Sequence, residues 1–282
     1  MRGTKKFSDR WIRVANISKD MERMALQERG SSAGSVRSAV TMRTDLEGSG
    51  RGGREMGSTA GWCGPEGSRH PSEMAKLPLE DFMDAVRENS ACLHATDCKG
   101  ASVLHHAARG GRKDLVEHIA NCGGDVKAQD AVGDTPLHWA VRGSSPDIIH
   151  VLMYAGADPA VLNIFKMAPL HLACHLDLPD MVEALCRHKE VDSNIPGEYG
   201  QTPLHYCAIE NSFAAAQKIM DYKPRLCQRD DNGIYVIHCA ATHASREVLN
   251  MLLGQAEEAG YPRDYVLRQN DKENNMAIHS AV

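Results

Sequence analysis

One short motif built around a histidine recurs along this chain and limits what it can fold into. Gly133-Asp134-Thr135-Pro136-Leu137-His138-Trp139-Ala140-Val141 returns as Gly200-Gln201-Thr202-Pro203-Leu204-His205-Tyr206-Cys207-Ala208. Looser copies hold Val103-Leu104-His105, Pro169-Leu170-His171, Ile237-His238 and Ile278-His279. By subtraction, the histidines at 105, 138, 171, 205, 238 and 279 lie 33, 33, 34, 33 and 41 residues apart. A unit of that size cannot bury its own apolar face, so neighbouring copies must stack, and about three or more are needed for stability.

The motif reads as the start of a helix. Thr135 is placed to cap the N-terminus, and Pro136 sits at the first helical position, where its missing N–H costs nothing. Leu137 points into a core, His138 can reach back to the threonine as in a capping box, and Ala140 is small enough for a second helix to lie close. Ser145-Pro146-Asp147 marks that second helix with a cap, a first-turn proline and a first-turn acid. Its apolar stripe is Ile148, Ile149, Val151 and Leu152, and Gly156-Ala157-Asp158 ends it. A hairpin-like loop around Leu162 to Lys166 then leads to the next copy. A 33-residue period with this core resembles the ankyrin repeat. The implied fold is an all-α ankyrin-repeat solenoid, with about five full repeats and one truncated repeat over residues 97–282. Residues 73–96, with Leu79, Phe82, Met83, Val86 and Leu93, read as a helical cap or degenerate repeat.

The copies differ. Ala168 replaces the capping threonine in the third, Tyr235-Val236 replaces Thr-Pro in the fifth, and Met276-Ala277 replaces it in the last. Each lost cap is expected to cost about 1 kcal/mol. Val282 falls inside the first helix of the sixth copy, without the polar cap that a finished solenoid needs, and this reads as a fragment or a shortened product.

Residues 1–72 read as a disordered tail, because Gly30–Gly34 and Gly48–Arg54 offer too little apolar surface to offset backbone ordering. Within it, Trp11, Val14, Ile17, Met21 and Met24 follow the spacing of a short amphipathic helix. The glycines of the second run do not form a phosphate loop, since no strand precedes them and no helix follows. This tail carries 13 Lys/Arg against 8 Asp/Glu, a charge of +5; residues 73–282 carry 19 against 29, a charge of -10. An acidic array argues against nucleic acid as a partner. No apolar run of about 18 residues is present, so no membrane-spanning helix is expected. Nine cysteines, an odd number without a CxxC pair and without a secretory signal, read as reduced thiols.

No motif for catalysis, cofactor or metal binding stands out, and the chain does not read as an enzyme. His171 and His175 share helical spacing, but His171 already belongs to the repeat motif. His105 and His106 are adjacent and point apart. Cys174, Cys207 and Cys239 fall at small core positions, whereas Cys227, between Arg225 and Arg229, is the one candidate reactive thiol. The expected partners are proteins, bound on the concave face and at loop tips including Val132-Gly133-Asp134, Tyr199-Gly200-Gln201 and Asn232-Gly233-Ile234-Tyr235.

Three stretches resemble a narrower family, the ankyrin-type transient receptor potential cation channels, arthropod members in particular. They are Asn163-Ile164-Phe165-Lys166-Met167-Ala168-Pro169-Leu170-His171-Leu172-Ala173-Cys174, then Asp192-Ser193-Asn194-Ile195-Pro196-Gly197-Glu198, then Asn232-Gly233-Ile234-Tyr235-Val236-Ile237-His238-Cys239-Ala240-Ala241. The long final interval, whose excess falls around Glu257–Arg263, is similar to an insertion in that family's early array. The resemblance covers residues 76–282 and not the tail. It implies a homotetrameric, calcium-permeable channel at the plasma membrane, with the ankyrin array on the cytosolic side, responding to temperature and electrophiles. The family's electrophile-sensing cysteines lie beyond the matching segment, so none of the cysteines here takes that role. On its own the chain would be cytoplasmic and could not conduct ions. The alternative is a soluble ankyrin adaptor.

Overall fold

The computed structural model describes residues 69–258, 260–272 and 276–277, with the side chain of Tyr265 left aside. The glycine-rich segment, the stripe from Trp11 to Met24, Ile278, His279 and Val282 lie outside the described residues. Two short elements open the described chain, α1 (Pro71–Met74) and α2 (Leu79–Glu88), followed by a 3₁₀ turn at Ser90–Leu93. Pro71, Met74, Phe82, Cys92 and Leu93 are buried there.

Five helix pairs follow: α3 (Val103–Arg109) with α4 (Lys113–Asn121), α5 (Pro136–Arg142) with α6 (Pro146–Tyr154), α7 (Pro169–His175) with α8 (Pro179–Cys186), α9 (Pro203–Glu210) with α10 (Phe213–Met220), and α11 (Val236–Thr242) with α12 (Arg246–Glu258). First helices pack on first helices and second on second, so the core is a continuous layer shared by neighbours. Its first-helix rows are Leu104, Leu137, Leu170, Leu204 and Ile237, then Ala107, Ala140, Ala173, Cys207 and Ala240, all buried. The small side chains of the second row let the helices approach. This is an all-helical ankyrin architecture. Among the described residues there are no strands, only isolated antiparallel bridges at Thr96–Ser102, Arg229–Tyr235 and Asn270–Met276.

The turn between the helices of each pair needs one residue with positive φ. Gly111 fills it first, and Ser144, Asp177, Asn211 and Ala244 fill the equivalent place later, at φ 51–55°. Asp177 also reaches across, its Oδ1 accepting the Ala215 N–H at 2.8 Å near the start of α10. One expected cap differs from the reading of its sequence. The Ser145 hydroxyl donates to the Gly143 carbonyl at 3.2 Å, and no cap hydrogen bond to α6 forms. Residue 145 is at ψ 92°, short of the ψ near 165° of Thr135 and Thr202, so its side chain turns back to the preceding turn.

The long interval before the last copy is filled by helix. α12 runs 13 residues, and α13 (Arg263–Leu267) follows it. Val266 and Leu267 pack against the cluster formed by Tyr235, Ile237, Leu253 and Ala277.

Candidate functional site

The repeated histidines form an internal ladder. In the second repeat His138 Nδ1 accepts the Thr135 backbone N–H at 3.1 Å and lies 2.9 Å from its hydroxyl. Its Nε2 then donates to the Met167 carbonyl of the next repeat at 3.0 Å. His105 repeats this between Ser102 and Asp134, and His205 between Thr202 and Ile234. His171 accepts from the Ala168 N–H at 3.1 Å and donates to Gln201 at 3.1 Å, without a hydroxyl. An Nδ1 that accepts and an Nε2 that donates fix a neutral tautomer. Burial pushes His171 and His205 down to about 4 and also lowers His105 and His138. His238 is buried as well. The neighbouring motif residues Pro136, Leu137, Pro169, Leu170, Pro203 and Leu204 are buried beside the ladder. All are interior, so the open surface is made by other residues.

A second row holds the hairpins. Asp97, Asp130, Asn163 and Asp230 each accept, through Oδ1, the backbone N–H groups two and four residues ahead, at 2.8–3.1 Å. Burial would raise the Asp97 carboxyl, but the Ala101 N–H, His106 and the Lys99 N–H outweigh it and leave it lowered. Adjacent tips join by Ala131 N–H to Lys99 O (2.7 Å), Ile164 N–H to Val132 O (2.9 Å) and Asp231 N–H to Tyr199 O (2.8 Å). The expected binding tips are therefore only partly open. Asp134, Gln201, Ile234 and Tyr235 are buried. Asp134 is held by Asn163 Nδ2 and Arg142 Nη2, both at 2.8 Å. The outward positions are Ala131, Ile164, Lys166 and Asp231, with Ile164 63% exposed.

On the first helices, the buried Trp139 donates to Asp130 Oδ2 at 2.9 Å, and the Arg109 guanidinium lies 5.7 Å from its ring centre. His106 packs edge-on at 5.1 Å and bonds Asp97 Oδ2 at 3.0 Å. Farther along, His175 faces Glu210 at 3.5 Å. The Trp139 and His106 bonds tie the first helices to the hairpins, and the outward tip positions stay open to solvent beside them.

The structure does not gather His171 and His175 into a metal site, and among the described residues no group of three or more His, Cys, Asp or Glu is arranged to hold a metal ion. Cys174, Cys207 and Cys239 are buried, and burial drives the Cys174 and Cys239 thiols well up. Cys227 is exposed, in a surface groove with Arg225, Gln228 and Tyr261. The Arg229 guanidinium bonds the Tyr235 hydroxyl at 2.6 Å and stacks on its ring. Nor is Cys227 singular. Cys98 and Cys122 are exposed too, and Cys122 Sγ lies 3.4 Å from His118 Nε2, one turn away on α4. The i, i+4 spacing of those two was visible in the sequence.

The family model described as Ankyrin repeats (3 copies) matches residues 79–163 and again 144–230. The chain belongs to the ankyrin-repeat family. The resemblance to ankyrin-type transient receptor potential channels, arthropod members included, also holds. The chain is 42% identical over 226 residues to Transient receptor potential cation channel subfamily A member 1 of Drosophila melanogaster, covering 75% of this chain and 19% of that protein. It is 30% identical over 100 residues to the human protein of the same name, covering 36% of this chain and 9% of that one. This ankyrin chain thus spans about a fifth or less of the channel relatives it matches.

Proposed function

We propose that this chain is the cytosolic ankyrin-repeat region of a calcium-permeable, non-selective cation-channel subunit. In this reading it acts as an interaction and modulatory scaffold in thermal or chemical sensing, within a homotetramer at the plasma membrane. The 42% identity over 226 residues to a channel carries the reading. Two observations fit it. No described helix is long and apolar enough to cross a membrane, so conduction would belong to other parts of a longer subunit. The described residues also turn Ala131, Ile164, Lys166 and Asp231 outward along the row of tips, where a partner can reach them.

Residues 73–96 serve in this proposal as the N-terminal cap of the array, and 97–282 as the repeats. Protein partners bind through the concave face and the outward tip positions.

A chimera tests the proposal. Residues 76–282 replace the aligned segment of the Drosophila relative, and calcium entry is recorded in transfected cells under warming and under an electrophile. Retained, stimulus-dependent entry is expected, with its threshold shifted by Ile164→Asp at an exposed tip. A chimera that reaches the surface as a tetramer but ignores every stimulus would overturn the modulatory role. Reading the coding sequence past Val282 is the second arm. Further repeats and then six apolar segments of about 20 residues are expected; a stop after a polar capping repeat would favour the soluble adaptor.

A further inference from the structure

Outside the tip face, two histidines meet across neighbouring repeats. His150 lies on α6, and His188 follows the end of α8. His150 Nδ1 and His188 Nε2 face each other at 2.9 Å, with ring centres 5.1 Å apart. The exposed ring of Tyr154 packs edge-on against His188 at 5.6 Å. The cleft around them is also lined by Lys113, Glu117, Asp147 and Arg187.

Two facing imidazole nitrogens share one proton when no metal is present, since only one of them can carry a lone pair toward the other. A divalent cation offers a different solution. Zn²⁺ binds imidazole nitrogen at about 2.0–2.1 Å, so two ligands at a tetrahedral angle sit about 3.4 Å apart. Widening the observed contact by about half an ångström achieves this, within reach of small side-chain rotations. No net proton leaves the pair. The ring that donates moves its N–H to its outward nitrogen through solvent, Nε2 of His150 or Nδ1 of His188, and both facing nitrogens then offer lone pairs.

The surrounding charge permits a cation. Lys113 pairs with Glu117 at 3.9 Å, and Glu183 is shared between Arg187 at 2.6 Å and Lys218 at 3.0 Å, so each basic residue of the cleft has an acidic neighbour. Asp147, three residues before His150 on α6, adds a carboxylate to the same cleft.

We propose that His150 and His188 form an exchangeable two-imidazole site for a borderline divalent cation of the Zn²⁺ type, which staples the second helices of two adjacent repeats. With two protein ligands and water completing the coordination, the site is weaker than a four-ligand structural zinc site and responds to free metal concentration. Its effect is to stiffen one joint of an otherwise evenly jointed array.

The test titrates ZnCl₂ into the full 282-residue chain and into His150→Gln, His188→Gln, the double variant and Cys122→Ser, with folding checked by circular dichroism. One equivalent of uptake is expected to disappear in either single histidine variant, with no further loss in the double variant, and to survive Cys122→Ser. In the unaltered chain the ring signals of His150 and His188 shift together in the nuclear magnetic resonance spectrum at the first equivalent. That readout stands even where a variant fails to fold. Undiminished uptake in both histidine variants, or a loss confined to Cys122→Ser, which would place the metal on the His118–Cys122 pair, would overturn the proposal.

Discussion

His171 and His205 titrate at about 4 in the folded chain, against an ordinary value of 6.5, because burial penalises their charged form. A depressed histidine value means that the unfolded state binds the extra proton first. Stability is then full above about pH 6.5 and falls as pH drops toward 4. At 1.36 kcal/mol per pH unit, each contributes about 3 kcal/mol to that loss. Urea unfolding between pH 7 and pH 4.5 is expected to show a steep fall, and His205→Gln should flatten it; a pH-independent midpoint would contradict the ladder. Ala168 offers the complementary test. Its φ of -82° and ψ of 165° match Thr135 and Thr202, and His171 Nδ1 sits where a hydroxyl would meet it. Ala168→Thr should therefore stabilise the array by about 0.5–1 kcal/mol. A loss would mean that the shell around this buried site has no room for the larger side chain. These roles were half legible in the sequence. The link from histidine to the preceding residue follows from an i, i+3 spacing. The bond from Nε2 to a carbonyl 29 or 30 residues ahead depends on the stacking geometry, which no local pattern states.

Between the two helices of each pair, positive φ passes from Gly111 through Ser144, Asp177 and Asn211 to Ala244. Alanine is the poorest of these choices, since a left-handed conformation costs a residue with a Cβ about 1–2 kcal/mol. Ala244→Gly removes that cost while adding chain entropy to the unfolded state, so a net gain of about 0.5–1 kcal/mol is expected in thermal or urea unfolding. Asp177 is worth more than its turn. Its carboxylate receives the Ala215 N–H, and Asp177→Ala should cost about 1 kcal/mol through α10. Helix existence and order were readable from Thr-Pro starts and the 33-residue period. The Asx hooks at Asp97, Asp130, Asn163 and Asp230 recur in that register, broken by Gly197, but a loop Asp or Asn looks like a solvated side chain until its backbone partners are placed. The same blindness made Asp134 and Tyr235 look like tips, when one is clamped by Arg142 and Asn163 and the other is buried under Arg229.

In a stacked array, stability is a sum of repeat terms and of interfaces between neighbours, and opening starts where an interface is weakest. The middle repeats hold Thr-Pro helix starts at 135 and 202, Asx hooks at Asp130 and Asn163 and a histidine rung on each side, with Ala168 and Gly197 as the gaps in the first two rows. Toward the far end the supports thin out. Tyr235-Val236 replaces the Thr-Pro start, Ala244 sits in a left-handed turn, and Ala241, Leu249, Leu267, Met276 and Ala277 line an open apolar groove beside α13. Amide exchange is therefore expected to be slowest across residues 135–210 and progressively faster beyond, approaching free-chain rates past about residue 265. That groove should also make the isolated chain self-associate with rising concentration, as exposed apolar patches do. If the proposed longer subunit continues the array, adding its next repeats should slow exchange in α12 and α13 and abolish the association together, because one new interface covers both. Slow exchange out to Leu267 in a monodisperse monomer would mean that α13 already closes the stack, and the groove would then be a surface feature rather than a joint.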